Sequence, residues 1–84
     1  MIQKLQQIYD NAYTIYTDAV NSLIAAEKPS EHEVERILDG LLDFCWDIRF
    51  LDLFKRLCRY IYPMYPHLVT DYVHFYSSQY EEDK

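Results

Sequence analysis

The chain has 84 residues, half of them apolar or aromatic, and a formal charge of −6. That length supports one domain with one core, no apolar run approaches the ~20 residues needed to span a bilayer, and net negative charge counts against general nucleic-acid binding. One glycine and three prolines leave little material for sheet turns and favour long helices.

The first predicted helix runs from about Ile2 to Ala26. Leu5, Ile8, Ala12, Ile15, Ala19 and Leu23 recur at three- and four-residue steps and define its expected core stripe, with Tyr9, Tyr13 and Tyr16 on the flank. Pro29 ends that segment. Ser30 and Glu33 then match a capping box, and Glu31, Glu33 and Glu35 complement the positive end of a second helix over residues 31–46. Val34, Ile37, Leu38, Leu41, Leu42 and Cys45 continue its apolar stripe. Gly40 lies on the margin, where a small residue permits a close crossing.

Asp47 is an N-cap candidate for a third helix over residues 48–62. At 100° per residue its apolar side chains, Phe50, Leu51, Leu53, Phe54, Leu57, Cys58 and Ile61, cover an arc wide enough for the central helix of a bundle. Arg49, Lys55, Arg56 and Arg59 share the remaining strip with Asp52. The strip stands out because residues 1–47 carry three basic against nine acidic side chains, whereas residues 48–66 carry four basic against one acidic. Pro63 and Pro66 break the chain, and Pro66 suits the first turn of a fourth helix over residues 66–80. Along it Val69, Tyr72, Val73 and Tyr76 line one side, flanked by Leu68 and Phe75. The acidic end, Glu81 to Lys84, is expected to fray into solvent. The expected fold is all-α: an irregular antiparallel four-helix bundle forming a single domain over residues 1–84.

Nothing in the pattern reads as an active site, and no cofactor or metal is expected. His67, Asp71 and His74 fall on one helical face, but three ligands on one helix rarely close a site around a cation. Cys58 has Lys55 and Arg59 within a turn, yet lies inside the apolar arc while they lie outside it. Asp39 and Asp43 are ordinary surface carboxylates. Met1 to Leu5 lacks the basic start and apolar run of a secretory signal, so a cytoplasmic protein with Cys45 and Cys58 as buried apolar thiols is the expectation.

The most distinctive signal is nine tyrosines, six of them in two helical rows. Tyr9, Tyr13 and Tyr16 line one helix, and Tyr72, Tyr76 and Tyr80 another. A phenol buries a large apolar ring while its hydroxyl needs a polar partner, which suits half-wet contact surfaces. The rows are therefore expected to face outward in a non-enzymatic interaction module that binds another protein or itself, a homo-oligomer included. Tyr9, Tyr13, Tyr16, Tyr72 and Tyr76 are the candidate anchors, and Arg56 and Arg59 the candidate charged orienters. One alternative is an acidic inhibitor that fills a basic groove of a nucleic-acid-handling enzyme through the carboxylates of the second helix. Another is nucleic-acid contact through the basic strip beside Tyr60 and Tyr62.

The segments Leu41-Leu42-Asp43-Phe44-Cys45 and Leu57-Cys58-Arg59-Tyr60-Ile61-Tyr62-Pro63-Met64-Tyr65-Pro66 resemble short uncharacterised proteins encoded on bacterial conjugative and transposable elements. The resemblance implies a small accessory, regulatory or anti-defence role without enzymatic chemistry.

Overall fold

Helix boundaries fall where the sequence supplies caps and breakers. In the computed structural model, which describes residues 2–81, α1 spans Ile2–Ala25, α2 Glu31–Leu42, α3 Ile48–Ile61 and α4 Pro66–Tyr76, with a π-helical turn over Ser77–Glu81. Residues 82–84, within the expected fraying tail, and the side chain of Leu5 lie outside the described part. The Ser30 hydroxyl accepts from the Glu33 amide at 3.1 Å while the Glu33 carboxylate accepts from the Ser30 amide at 3.4 Å, which completes the capping box. Asp47 caps α3 by accepting from the Arg49 amide at 2.9 Å. Pro66 opens α4, where its missing N–H costs nothing.

α2 is shorter than the periodicity suggests. It stops at Leu42, and residues 43–47 form turns, although Cys45 still reaches the core. Without this break Asp47 could not adopt the extended backbone it uses as a cap, with φ −96° and ψ 125°.

The fold is an irregular four-helix bundle without strands among the described residues. α2 and α3 pack on each other and both touch α1 and α4, whereas α1 and α4 share no contact among the described residues. Consecutive helices run antiparallel. Arg49–Asp10 joins the starts of α3 and α1 and Tyr60–Ala26 joins their ends, while His67–Glu31 and Tyr80–Leu42 align α4 with α2 in the same way. The result is a slab of 42 × 37 × 17 Å with a radius of gyration of 13.3 Å, against about 12 Å for a compact domain of this length.

The core is centred on α3, which buries Phe50, Leu53, Phe54, Leu57, Cys58 and Ile61. α2 adds Val34, Ile37, Leu38, Leu41 and Leu42. Among the described side chains of α1 only Val20 and Leu23 are buried, and from α4 only Leu68 and Tyr72. The expected α1 stripe is thus corrected: Ile8 and Ile15 are 57% and 65% exposed. The helix is rolled so that Tyr13 and Tyr16 face α2 and α3, because larger rings in those positions bury more area than the isoleucines would. On α4, Val73 and Phe75 are likewise exposed rather than packed.

Candidate interaction surface

The tyrosine rows are consumed largely in making the fold, which corrects the expectation that they face outward. Tyr72 is buried, and its hydroxyl donates to the Asp39 carboxylate; burial first, then that hydrogen bond, pushes its pKa well above the ordinary value. Tyr76 is half-buried between Phe54, 6.0 Å away, and Tyr80, 5.2 Å away, and burial raises its pKa too. Tyr16 lies over Gly40 with its ring 6.1 Å from Phe44 and 6.2 Å from Phe50. A Cβ at Gly40 would come within 2.7 Å of Tyr16 Cζ, so the glycine opens a slot for the phenol. Tyr13 stands edge-on to Phe50 at 5.6 Å.

Three further hydroxyls end on backbone carbonyls: Tyr80 donates to Leu42 O at 2.6 Å, Tyr65 to Pro29 O at 2.9 Å and Tyr60 to Ala26 O at 3.4 Å. Helix C-termini leave carbonyls without intrahelical partners, and a glycine just past the end often turns the chain to satisfy them. With Gly40 the only glycine, carbonyls at the ends of α1 and α2 are met by Tyr60 and Tyr80 instead, while Tyr65 ties down Pro29 in the loop ahead of α2. The sequence signal for it was the pairing of nine tyrosines with one glycine.

Tyr9 is the anchor candidate closest to an exposed surface. Its ring meets Trp46 edge-on at 5.1 Å and Phe44 at 6.2 Å. Trp46 is 56% exposed and Ile48, two residues on, is 70% exposed. Arg49 secures this corner. It pairs with Asp10 of α1 at 2.8 Å and with its own cap Asp47 at 3.0 Å, and its guanidinium lies 5.0 Å from the Tyr13 ring centroid. Hydrogen bonding to Arg49 holds the Asp47 carboxyl below its ordinary pKa. Sequence reading missed Trp46 and Ile48 because both sit at the phase change between α2 and α3, where no periodicity assigns a side.

The basic strip divides. Arg49 is held within the fold, whereas Lys55, Arg56 and Arg59 are exposed, and among the described residues none of the three is in an ion pair. On the helix, Ile48, Asp52, Lys55, Arg59 and Tyr62 follow at steps of four, three, four and three residues, so they form one row with Arg56 beside it. Tyr62 is 56% exposed, the most open of the nine tyrosines. The row is about 21 Å long at 1.5 Å per residue.

The carboxylates of α2 are partly engaged. Glu33 caps its own helix, Asp39 accepts from Tyr72, and Glu31 lies 2.7 Å from His67 Nε2. That contact draws His67 toward α2. Among the described residues no three His, Cys, Asp or Glu side chains converge as a cation site. Cys45 and Cys58 are buried free thiols; burial, with Cys58 adding to it, pushes Cys45 up to about 12, and burial pushes Cys58 up to about 11. Neither is poised as a nucleophile, since the reactive species is the thiolate. Between α1 and α2 lies a shallow cleft of about 220 Å³ lined by Ala19, Ser22, Leu23, Ala26, Glu33, Arg36 and Ile37. No helix among the described residues is long and apolar enough to cross a membrane.

No protein family model, curated protein or solved structure matches the chain. The resemblance to mobile-element proteins therefore stands on the two quoted segments alone.

Proposed function

We propose that this chain is a non-enzymatic protein-interaction module that binds an acidic protein surface through the outward face of α3. The observation that carries the reading is the row Ile48, Asp52, Lys55, Arg59, Tyr62 with Arg56 beside it: exposed apolar groups at both ends and, between them, three exposed cations against one exposed carboxylate. Cations orient and accelerate the encounter, while desolvated aromatic and aliphatic groups supply most of the affinity. Arg56 and Arg59 keep the orienting role. Among the tyrosine anchors, Tyr9 becomes the support of Trp46, while Tyr13, Tyr16, Tyr72 and Tyr76 act as scaffold. An accessory role on a mobile element is compatible with such a module.

The acidic-inhibitor reading draws less support, because Glu31, Glu33 and Asp39 already have partners within the chain. Nucleic-acid contact would use the same cations, but against the repulsion of a chain at −6.

Affinity capture with the full chain, read by mass spectrometry at low and high salt, tests the proposal. A partner should be captured by the wild type, weaken as salt rises, and be lost with Arg56→Glu/Arg59→Glu while circular dichroism stays unchanged. Retention of every captured protein by the double reversal would sink the reading, and recovery of nucleic acid in place of protein would replace it.

A further inference from the structure

We infer that α1 also pairs, antiparallel, with α1 of a second copy of this chain, through a surface separate from the α3 row. Among the described residues α1 touches only α2 and α3; its outer flank carries Ile8, Ile15 and Ser22 at seven-residue spacing, and Ala12, Ala19 and Ala26 form a parallel row at the margin of that flank, where Ala12 and Ala19 still pack partly against the core. Ala26 belongs to this register because its amide still donates to Ser22 O at 3.0 Å. A strict seven-residue repeat keeps one seam facing a partner helix, and alanines let two backbones approach closely. The seam is open in the monomer, with Ile8 57% and Ile15 65% exposed.

The seam is self-complementary. Ile15 lies midway between Ile8 and Ser22, about 10.5 Å from each along the helix. A two-fold axis through the Ile15 contact sets Ile8 of one copy against Ser22 of the other, between Ala19 and Ala26. That is the position of the cleft of about 220 Å³ between α1 and α2. Each copy thus presents a knob at one end of α1 and a hole at the other, the requirement of an isologous pair. On the α2 side the rim of each cleft carries Glu33 and Arg36, one of each sign, so it sets no net charge against the apolar knob it receives. On the other flank, Asp18 falls opposite Asn11 of the second copy rather than opposite its own equivalent. From Ile8 to Ala26 the seam is about 27 Å long. Pairing along it buries on the order of 1,000 Å², the lower end of specific interfaces, so the dimer is expected to be reversible and concentration-dependent.

Light scattering and sedimentation of the full chain test this, because a pair with a Kd of about 10 μM is mostly dimeric at about 200 μM and mostly monomeric at about 1 μM. Ile15→Asp should weaken the dimer at least tenfold and leave helicity and the unfolding midpoint unchanged, since the side chain is exposed. Direction is read by cross-linking: an equimolar mixture of Ile8→Cys and Ser22→Cys should give a disulfide heterodimer on oxidation, and Ile8→Cys alone should not. A monomer at every concentration, an undisturbed dimer in Ile15→Asp, or efficient cross-linking of Ile8→Cys with itself would each overturn the pairing. Arg56→Glu/Arg59→Glu should lose partner capture yet dimerise normally, which separates a failure of this inference from a failure of the α3 reading.

Discussion

α1 and α3 are both long amphipathic helices, yet they divide their surfaces in opposite ways. α3 buries every side chain of its apolar arc except the half-buried Leu51 and keeps its outer face mainly for charge. Among its described side chains α1 buries two aliphatic residues, seats itself through half-buried tyrosines and leaves two isoleucines in water. Position explains the difference. α3 is covered by α1, α2 and α4, whereas α1 lies at the edge of the slab with neighbours on one side only. A central helix can satisfy all its apolar surface within the chain, and an edge helix with a wide apolar arc cannot.

The sharpest way to break this contrast is at the centre. Leu57 is fully buried, and Leu57→Ala should cost about 3 kcal/mol, seen as a lower denaturation midpoint with unchanged slope. At the edge the matching lesion is overpacking: Gly40→Ala pushes a methyl into the Tyr16 ring and should cost about 1–3 kcal/mol. Adding Tyr16→Ala should recover part of that loss, and the non-additivity measures how far the slot seats α1.

A pH series probes the interior and its phenol caps together. Cys45, Cys58 and Tyr72 all titrate higher in the folded chain than their ordinary 9.0, 9.0 and 10.0. Their protonated forms are favoured by folding. The stability this represents is fully present below about pH 9 and is lost as pH rises through the raised values, because the unfolded chain releases those protons first. Ellipticity at 222 nm should therefore fall cooperatively on the alkaline side, and Cys45→Ala should move that fall upward in pH.

Smaller effects sharpen the picture of the caps. Tyr80→Phe leaves Leu42 O with only the long 3.4 Å bond from the Cys45 amide and should cost about 1 kcal/mol by chemical denaturation. Thr17 Oγ1 on α1 is shut from water without a partner among the described residues. Thr17→Val should accordingly stabilise the fold by about 0.5–1 kcal/mol, a gain at the edge where most substitutions lose.

Most of the architecture is legible in the sequence. Ser30, Asp47 and Pro66 mark three helix starts by local chemistry, and the α3 arc identifies the central helix, because both signals are written within one or two turns. What could not be read was the roll of α1. Its arc contains an isoleucine row and a tyrosine row of comparable width, and only the Gly40 slot on another helix decides which one turns inward. The candidate surface failed for the same reason: a tyrosine row is equally good for an interface or for tying carbonyls across a gap, and the choice depends on where Ala26, Pro29 and Leu42 end up in space. Arg56 and Arg59 fall on the polar arc of α3 and are exposed in the fold, because charge has no such second use in a core.

The scarcity of glycine has a practical corollary. No described residue adopts a positive φ, so replacing any non-proline side chain by alanine leaves the backbone in a region alanine also occupies. Systematic truncation of this chain will report side-chain contributions almost undistorted by main-chain strain, which makes it a clean host for measuring what a phenol-to-carbonyl tie is worth at the end of a helix.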